Sequence, residues 1–184
     1  MSTVALSRVS RVFLVVGSLS LLTATQLSAL GFHALNDVLT PAQREAWHWA
    51  TELQFYHSLG LLLLALLHPR LGNSRLVAAA GGIMIIGLLL FSGTIYVSSL
   101  GLAPVGQLAP FGGGSFMLAW LLVAIAAFTA MGLDGQLEKF SQSALNVGLS
   151  KTEIVEAVIQ TGPFGGFPRA LNGLVILTRS LAKG

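Results

Sequence analysis

The chain has 184 residues, of which 54% are hydrophobic and only 9% are charged, whereas a soluble globular domain carries about 25% charged residues. This composition is typical of an integral membrane protein. Ten Lys and Arg against seven Asp and Glu give a net charge of +3, which is too small and too scattered for a nucleic-acid-binding surface. The sequence contains no cysteine, which excludes disulfides, thiolate catalysis, iron–sulfur clusters and Cys-type zinc sites.

Four apolar stretches predict membrane-spanning helices. Each is long enough to cross a hydrocarbon core of about 30 Å at about 1.5 Å per helical residue. The stretch from Leu76 to Leu133 contains no Lys, Arg, Asp or Glu, and Gly and Pro residues between positions 101 and 110 divide it into two spans. In chain order, the predicted spans are residues 12–30, 49–67, 76–100 and 111–133.

The second span is short, but its helix is predicted to begin well before it. Thr40 and Gln43 have the spacing of a capping box, and Pro41 occupies the first helical position, where proline is favoured. Trp47 and Trp49 then lie at the depth of the membrane interface, which favours aromatic side chains.

The basic residues favour one orientation. Arg8 and Arg11 precede the first span, Arg70 and Arg75 lie between the second and third, and Lys139 follows the fourth. By the positive-inside rule, both termini are predicted to be cytoplasmic.

A rival interpretation treats residues 8–30 as a cleaved signal peptide, because small residues lie near the end of that stretch. Cleavage would leave three spans and would place the basic loops on the wrong side or invert the orientation. We therefore expect four spans in residues 1–133, forming an all-α, integral membrane four-helix bundle.

Residues 134–184 are predicted to form a short cytoplasmic tail of three amphipathic helices. Ser150 and Glu153 have the spacing of a second capping box, and the helix they begin is expected to stop at Gly162 and Pro163. Helices this short bury little of their own surface. We expect the tail to pack on a neighbouring copy, a partner or the membrane surface.

Three stretches resemble the signatures of a known membrane family. They read ELQFYHSLGLLLL at residues 52–64, LFSGTIY at 90–96 and APFGGGSFMLAW at 109–120. In order and spacing they are similar to the domain-of-unknown-function family 423, also called transmembrane protein 256-like. The resemblance covers about residues 12–133. It implies a small four-span protein, with relatives in the bacterial inner membrane, and supplies no established activity.

The tail resembles a different family. Residues 144–156, ALNVGLSKTEIVE, and 166–172, GFPRALN, are similar to the closing half of a carboxymuconolactone decarboxylase-like domain, over about residues 140–177. In that family these helices build the oligomer and one wall of the site. The helix with the family's reactive cysteines and histidine has no counterpart here, since the last histidine is His68. We therefore expect an assembly surface and no peroxidase or decarboxylase activity.

Ionisable side chains within the spans are the first candidates for a functional site. Glu52 is the only acidic residue inside a predicted span. At helical spacing Glu52 and Tyr56 share a face, whereas His57 lies about 140° away, so Glu52 and His57 do not form a simple dyad. We expect Glu52 to be hydrogen-bonded to Tyr56 or to a neighbouring span, and the alternative is a proton or ligand role.

Histidines from two spans, His33 and His57, raise the alternative of a haem or metal site. Their predicted depths differ by several ångströms, so a shared ligand would need a tilted geometry. We expect hydrogen-bonded histidines, with no metal site and no cofactor. Polar residues spaced by three, four or seven on the first and third spans are expected to hold helices together. They are Thr23, Gln26 and His33, and Ser92, Tyr96 and Ser99.

Two functional hypotheses follow. The first is a non-catalytic accessory or assembly subunit in the bacterial inner membrane, which docks on other membrane subunits or on copies of itself through its lipid-facing helices and its tail. The alternative is a small carrier or a protein that binds a lipophilic ligand, such as a quinone, lipid or pigment, near the far-side ends of the first two spans. Candidate residues for that pocket are Glu52, Gln54, Tyr56, His57 and His33.

Overall fold

A computed structural model describes residues 6–71, 74–161 and 166–182. In this part of the chain, four helices are long and apolar enough to cross a membrane, so the predicted all-α membrane bundle is confirmed. The spans are α1 (Arg8–Phe32), α2 (Pro41–Arg70), a third span made of α3 (Arg75–Leu88), a π-helical segment (Leu89–Gly93) and α4 (Thr94–Ser99), and a fourth made of a 3-10 turn (Gly106–Leu108) and α5 (Ala109–Met131).

The start of α2 lies at Pro41, as the sequence predicted. The backbone N–H of Thr40 donates to Gln43 Oε1 over 2.9 Å, and the backbone N–H of Gln43 donates to Thr40 Oγ1 over 3.3 Å. This reciprocal pair is a capping box, which satisfies amides that the first turn of a helix leaves without partners.

Two glycines end the third and fourth spans. Gly101 and Gly132 both have φ of 69°, a left-handed conformation that glycine adopts without steric cost. After each, the next amide bonds back five residues, from Leu102 to Val97 O and from Leu133 to Phe128 O. These Schellman-type endings stop the helices at Ser99 and Met131, slightly before the predicted limits.

The π-helical segment within the third span was not predicted. Its carbonyl groups are partly satisfied by hydroxyls, because Thr94 Oγ1 donates to Leu90 O over 2.5 Å and to Phe91 O over 3.3 Å. Ser92, inside the segment, donates instead to Ala50 O on α2 over 2.8 Å. Segments of this kind are rare and are frequently found at functional sites.

The described residues of the tail form three helices, α6 (Asp134–Asn146), α7 (Lys151–Ile159) and α8 (Phe167–Leu181). The predicted capping box at the start of α7 is confirmed, with reciprocal bonds between Ser150 and Glu153. The Ser150 hydroxyl, followed by the Ser150 backbone N–H, holds the pKa of the Glu153 carboxyl below its usual value. The expected stop at Gly162 and Pro163 lies outside the described residues.

The chain divides into two compact units. The core unit contains Arg8–Ala65 and Gly81–Met117, and the tail unit contains Met1–Ser7, Leu66–Ala80 and Leu118–Gly184. The predicted division into residues 1–133 and 134–184 stays a prediction.

Within the tail unit, α6 and α8 pack on the end of α5, and α7 packs on α6 and α8. Arg169 on α8 donates to Ala130 O over 2.7 Å, and Asn172 donates to Asp134 Oδ2 over 2.7 Å. The tail has an apolar core, and four of its larger apolar side chains on α6, α7 and α8 are almost fully buried. They are Leu137, Ile154, Val158 and Leu177.

Within the core unit, the fourth span makes a close crossing over the third at Gly112. A Cβ atom added there would lie 2.4 Å from the Phe91 backbone N and 2.7 Å from Phe91 Cβ. Backbone cannot yield to such an overlap as a flexible side chain can. Of the glycine triplet at positions 112–114, Gly114 faces open space instead.

Replacing Gly112 by alanine is therefore expected to destabilise the protein by about 1–3 kcal/mol, the usual cost of overpacking. Gly114→Ala is the matched control and should be neutral or slightly stabilising, since alanine favours helix. Unfolding of purified protein in an SDS titration, followed by circular dichroism, measures both. Equal midpoints for the two variants would contradict the close crossing.

Candidate functional site

A buried amide on α2, Gln54, is the centre of a polar network inside the core unit. Its Nε2 donates to Thr23 Oγ1 over 2.9 Å and to Ser20 O over 3.0 Å, both on α1. Its Oε1 accepts a hydrogen bond of 2.8 Å from the Tyr96 hydroxyl on α4. Gln54 is only 7% exposed. Burial removes the hydrogen bonds that its amide would make to water, and the bonds to Thr23, Ser20 and Tyr96 replace them.

Serine hydroxyls extend this network along α2. Ser58 Oγ lies 2.7 Å from Ser20 Oγ and 2.5 Å from Gln54 O. Both bonds lie in the core unit, where Ser58 is fully buried. The network therefore joins three spans through side chains of α1, α2 and α4.

Aromatic packing covers one end of the network. The rings of Trp47 and Tyr96 lie 4.7 Å apart, and they form a buried cluster with Leu39 and Ala50. Trp47 Nε1 also donates to Leu27 O on α1 over 2.8 Å. The indole and phenol thus bury large apolar areas while their polar atoms keep partners.

A groove of about 350 Å³ opens beside this network, within the core unit. Leu19 on α1 and Leu89 on the π-helical segment form part of its wall and are 56% and 66% exposed. Exposed leucines in the middle of a span face lipid, so the groove is accessible from the hydrocarbon. Its lining also contains Val16, Ser20, Thr23, Leu27, Gln54, Ile85, Leu88, Ser92, Gly93 and Tyr96.

Two of the five predicted candidates, Glu52 and Tyr56, lie together away from this groove. The Tyr56 hydroxyl donates to Glu52 Oε1 one helical turn away, which is the local partner that the sequence predicted. His48 Nε2 lies 3.6 Å from Glu52 Oε2 on the same face. Tyr56 is 54% exposed, so this trio lies on the outer surface of α2.

The two histidine candidates are in different surroundings. His57 is buried, its ring stacks on Phe116 with centroids 3.5 Å apart, and its Nδ1 lies 2.7 Å from Leu53 O. His33 is exposed, and its ring contacts Phe32 edge-on. Of the five candidates, Gln54 is the one that lines the groove. The predicted pocket composition stays a prediction.

The core unit contains a second pocket. A pocket of about 250 Å³ lies between the end of α1 and the start of α2, lined in part by Arg44, Trp47 and His48. Among residues 6–71, 74–161 and 166–182, no three His, Asp or Glu side chains are placed to hold a metal ion.

The tail presents an apolar stripe on α8. Phe167, Leu171 and Val175, spaced four residues apart on one helical face, are 71%, 60% and 47% exposed. Two arginines, Arg169 and Arg179, are the charged residues of α8. A row of exposed, large apolar side chains outside the spans is typical of an interaction surface for a protein, a membrane or a ligand.

Sequence reasoning found parts of the network but not their connection. The spacing of Ser92 and Tyr96 indicated a polar face on the third span, and Thr23 indicated one on the first. The sequence predicts Gln54 and Glu52 in one pocket, yet side chains two positions apart on a helix point in different directions. The pairing of Gln54 with Tyr96 depends on tertiary structure, and no local sequence signal predicts it.

Comparison with known proteins agrees with the first sequence resemblance. The family model described as protein of unknown function (DUF423) matches residues 27–113. The UPF0382 membrane protein YwdK of Bacillus subtilis is 33% identical over 118 residues, which are 64% of this chain and 96% of that protein. The chain belongs to the DUF423 family. A UPF0382 membrane protein of Staphylococcus epidermidis is 34% identical over 123 residues, 66% of the chain and 99% of that protein.

The second resemblance is also supported. The carboxymuconolactone decarboxylase family model matches residues 121–179, so the similarity begins within α5, earlier than the sequence indicated. This DUF423 member thus carries, after the residues that match the DUF423 model, a segment similar to the carboxymuconolactone decarboxylase family. No solved structure matches the chain.

Replacing Gln54 by leucine is expected to destabilise this DUF423 protein by about 2 kcal/mol, because the Tyr96 hydroxyl would lose its buried acceptor. Gln26→Leu is the matched control, since Gln26 lies exposed on α1. Removing its amide should leave the stability of the protein in lipid unchanged or raise it. The same SDS titration compares the two variants. Destabilisation of equal size in both would show that the Gln54 network contributes nothing specific.

Proposed function

We propose that the protein is a non-catalytic accessory or assembly subunit of a larger membrane complex. The observation that carries this proposal is the exposed stripe of Phe167, Leu171 and Val175 on α8. Leaving a large apolar side chain exposed to water costs about 1.5–3 kcal/mol of free energy relative to burying it fully. A protein partner that covers the three side chains recovers this free energy.

The construction of the tail unit supports this role. Arg169 and Asn172 hold α8 against the end of α5 and the start of α6 through hydrogen bonds of 2.7 Å. The buried face of α8 is therefore already occupied, and the stripe is left facing outward. The helix is fixed in place and presents its apolar residues to a partner, which can be a second copy or another membrane subunit.

The location of the partner follows from the orientation that we propose. Arg70 and Arg75 border the loop between the second and third spans, and Lys139 follows the fourth. The positive-inside rule places these residues, both termini and the tail on the cytoplasmic side of a bacterial inner membrane. The lipid-facing sides of the spans supply a second docking surface within the bilayer.

Self-association is the first form of assembly to test. Full-length protein solubilised in a mild detergent is expected to run as a particle larger than one chain in native mass spectrometry. Leu171→Glu should reduce it to smaller particles, because a carboxylate in an apolar interface is costly. The control is Val147→Glu, which makes the same kind of change at a residue of the tail that is 60% exposed and off the stripe.

Native membranes extend this experiment to other subunits. A partner protein should remain with the wild type and with Val147→Glu but be lost from Leu171→Glu. A monodisperse single chain that retains no partner in any of these preparations would overturn the assembly role.

A second candidate function is supported by the groove. We propose that it binds a lipophilic molecule, with Gln54 and Tyr96 in its wall. The class of ligand is the one in the alternative hypothesis from the sequence, but that hypothesis placed the site near the far-side ends of the first two spans. A volume of about 350 Å³ lies within the range of small-molecule sites, which are mostly apolar with a few polar groups. Glu52 and Tyr56, on the outer face of α2, are separate from this groove.

Filling the groove tests this candidate. Gly93 lines it, and an added Cβ there would meet no atom closer than Leu88 O at 3.9 Å, so Gly93→Leu is expected to fold and occupy the space. Gly82→Leu is the matched control, since Gly82 on α3 also has room for a side chain but lies outside the groove. Mass spectrometry of lipid extracts should find a bound molecule in wild type and Gly82→Leu that is lost from Gly93→Leu.

A further inference from the structure

We propose that the groove selects a neutral, lipid-soluble molecule that carries a hydroxyl group, such as a quinol, over the same molecule with only carbonyl groups. This inference rests on the second candidate function, the binding of a lipophilic ligand. It follows from the balance of hydrogen-bond donors and acceptors in the groove wall. In that wall, the hydrogens of the polar groups are donated to acceptors within the protein, while some oxygen lone pairs are left to accept a hydrogen bond from a ligand.

The amide and phenol donors are both engaged. Gln54 Nε2 has two hydrogens, and its nearest acceptors are Thr23 Oγ1 at 2.9 Å and Ser20 O at 3.0 Å. The Tyr96 hydroxyl donates its single hydrogen to Gln54 Oε1. A ligand carbonyl could recruit any of these groups only by breaking a bond that already exists.

The hydroxyl groups are engaged in the same way. Thr23 Oγ1 donates to Ser20 O over 3.0 Å, and Ser92 Oγ donates to Ala50 O over 2.8 Å. Ser58 Oγ donates to Gln54 O over 2.5 Å and also lies 2.7 Å from Ser20 Oγ. When the single Ser58 hydrogen is on Gln54 O, the Ser20 hydroxyl can donate to Ser58 Oγ. Serine hydroxyls rotate to suit such a chain.

Acceptor sites remain on three of the lining residues. A phenol or hydroxyl oxygen has a second lone pair after it has donated, which leaves the oxygens of Tyr96 and Ser92 able to accept. Thr23 Oγ1 accepts from Gln54 and keeps one further site. A ligand hydroxyl can therefore add a hydrogen bond without breaking one.

Charge and depth restrict the ligand further. The lining of the groove contains no Asp, Glu, Lys, Arg or His, so nothing there offsets the cost of a charged group in hydrocarbon. Leu19 and Leu89 lie near the middle of their spans, well below the level of phospholipid headgroups. A neutral ring with a hydroxyl fits these limits, and its hydrocarbon tail can lie along the exposed leucines.

Three analogues with the same tail test the donor preference: decylbenzoquinol kept reduced with dithionite, its dimethyl ether, and decylbenzoquinone. Full-length protein is placed in phosphatidylcholine nanodiscs, and binding is measured as equilibrium partitioning relative to empty nanodiscs. One added hydrogen bond corresponds to about a fivefold gain in affinity. The quinol is therefore expected to bind at least about fivefold more tightly than the ether or the quinone.

Thr23→Val provides a second measurement. The change removes the nearest acceptor of the Gln54 amide and leaves it Ser20 O at 3.0 Å and the more distant Ser20 Oγ at 3.3 Å. One N–H is then less well satisfied, which should shift the preference from quinol towards quinone. Thr25→Val is the matched control, because Thr25 Oγ1 donates only within α1, to Leu21 O over 2.9 Å, and should keep the quinol preference.

The outcomes separate this inference from the function on which it rests. Equal binding of all three analogues, abolished by Gly93→Leu, would overturn the donor preference while the ligand-binding role remained. Tighter binding of the quinone to wild type would also overturn it. No binding of any analogue, together with lipid extracts that do not differ between Gly93→Leu and Gly82→Leu, would overturn both.

Discussion

A primary amide buried in a membrane span must find protein partners for its donors and acceptors, because hydrocarbon offers none. Gln54 meets this constraint with Thr23 and Ser20 on α1 and with Tyr96 on α4. The amide therefore fixes the register of three spans at one depth. Apolar packing alone discriminates weakly between neighbouring registers in lipid, since lipid tails are as apolar as leucine. The polar network supplies that discrimination.

The groove is a consequence of the same arrangement. Tyr96 reaches Gln54 just after the π-helical segment, and Ser92 and Gly93 of that segment lie in the groove wall. With no side chain at Gly93, space is left beside the network. The polar groups of the network donate their hydrogens to acceptors within the protein, so the wall presents oxygen lone pairs to a ligand. Structural stability and the proposed ligand preference thus have one physical origin.

The tail buries part of its apolar surface and leaves the rest exposed. Its helices bury Leu137, Ile154 and Leu177 among themselves and the end of α5, yet α8 keeps an apolar stripe outward. A small domain cannot bury all of its apolar surface, and here the excess lies on one helical face. The family match over residues 121–179 shows that this segment resembles a domain distinct from the four-span family. This segment follows the match to the DUF423 model, which ends at residue 113.

The sequence by itself determined the number of spans, the start of α2 at Pro41 and the capping box of α7, because apolar length, proline placement and box spacing are local properties. It also indicated both family resemblances. Only the tertiary structure decided which polar residues meet. Glu52 pairs with Tyr56 one turn away, which spacing predicts, whereas Gln54 meets Tyr96 across 42 positions of sequence. Helical periodicity gives the direction of a side chain but not the neighbour it faces, so the network, the π-helical segment and the groove required the packed bundle.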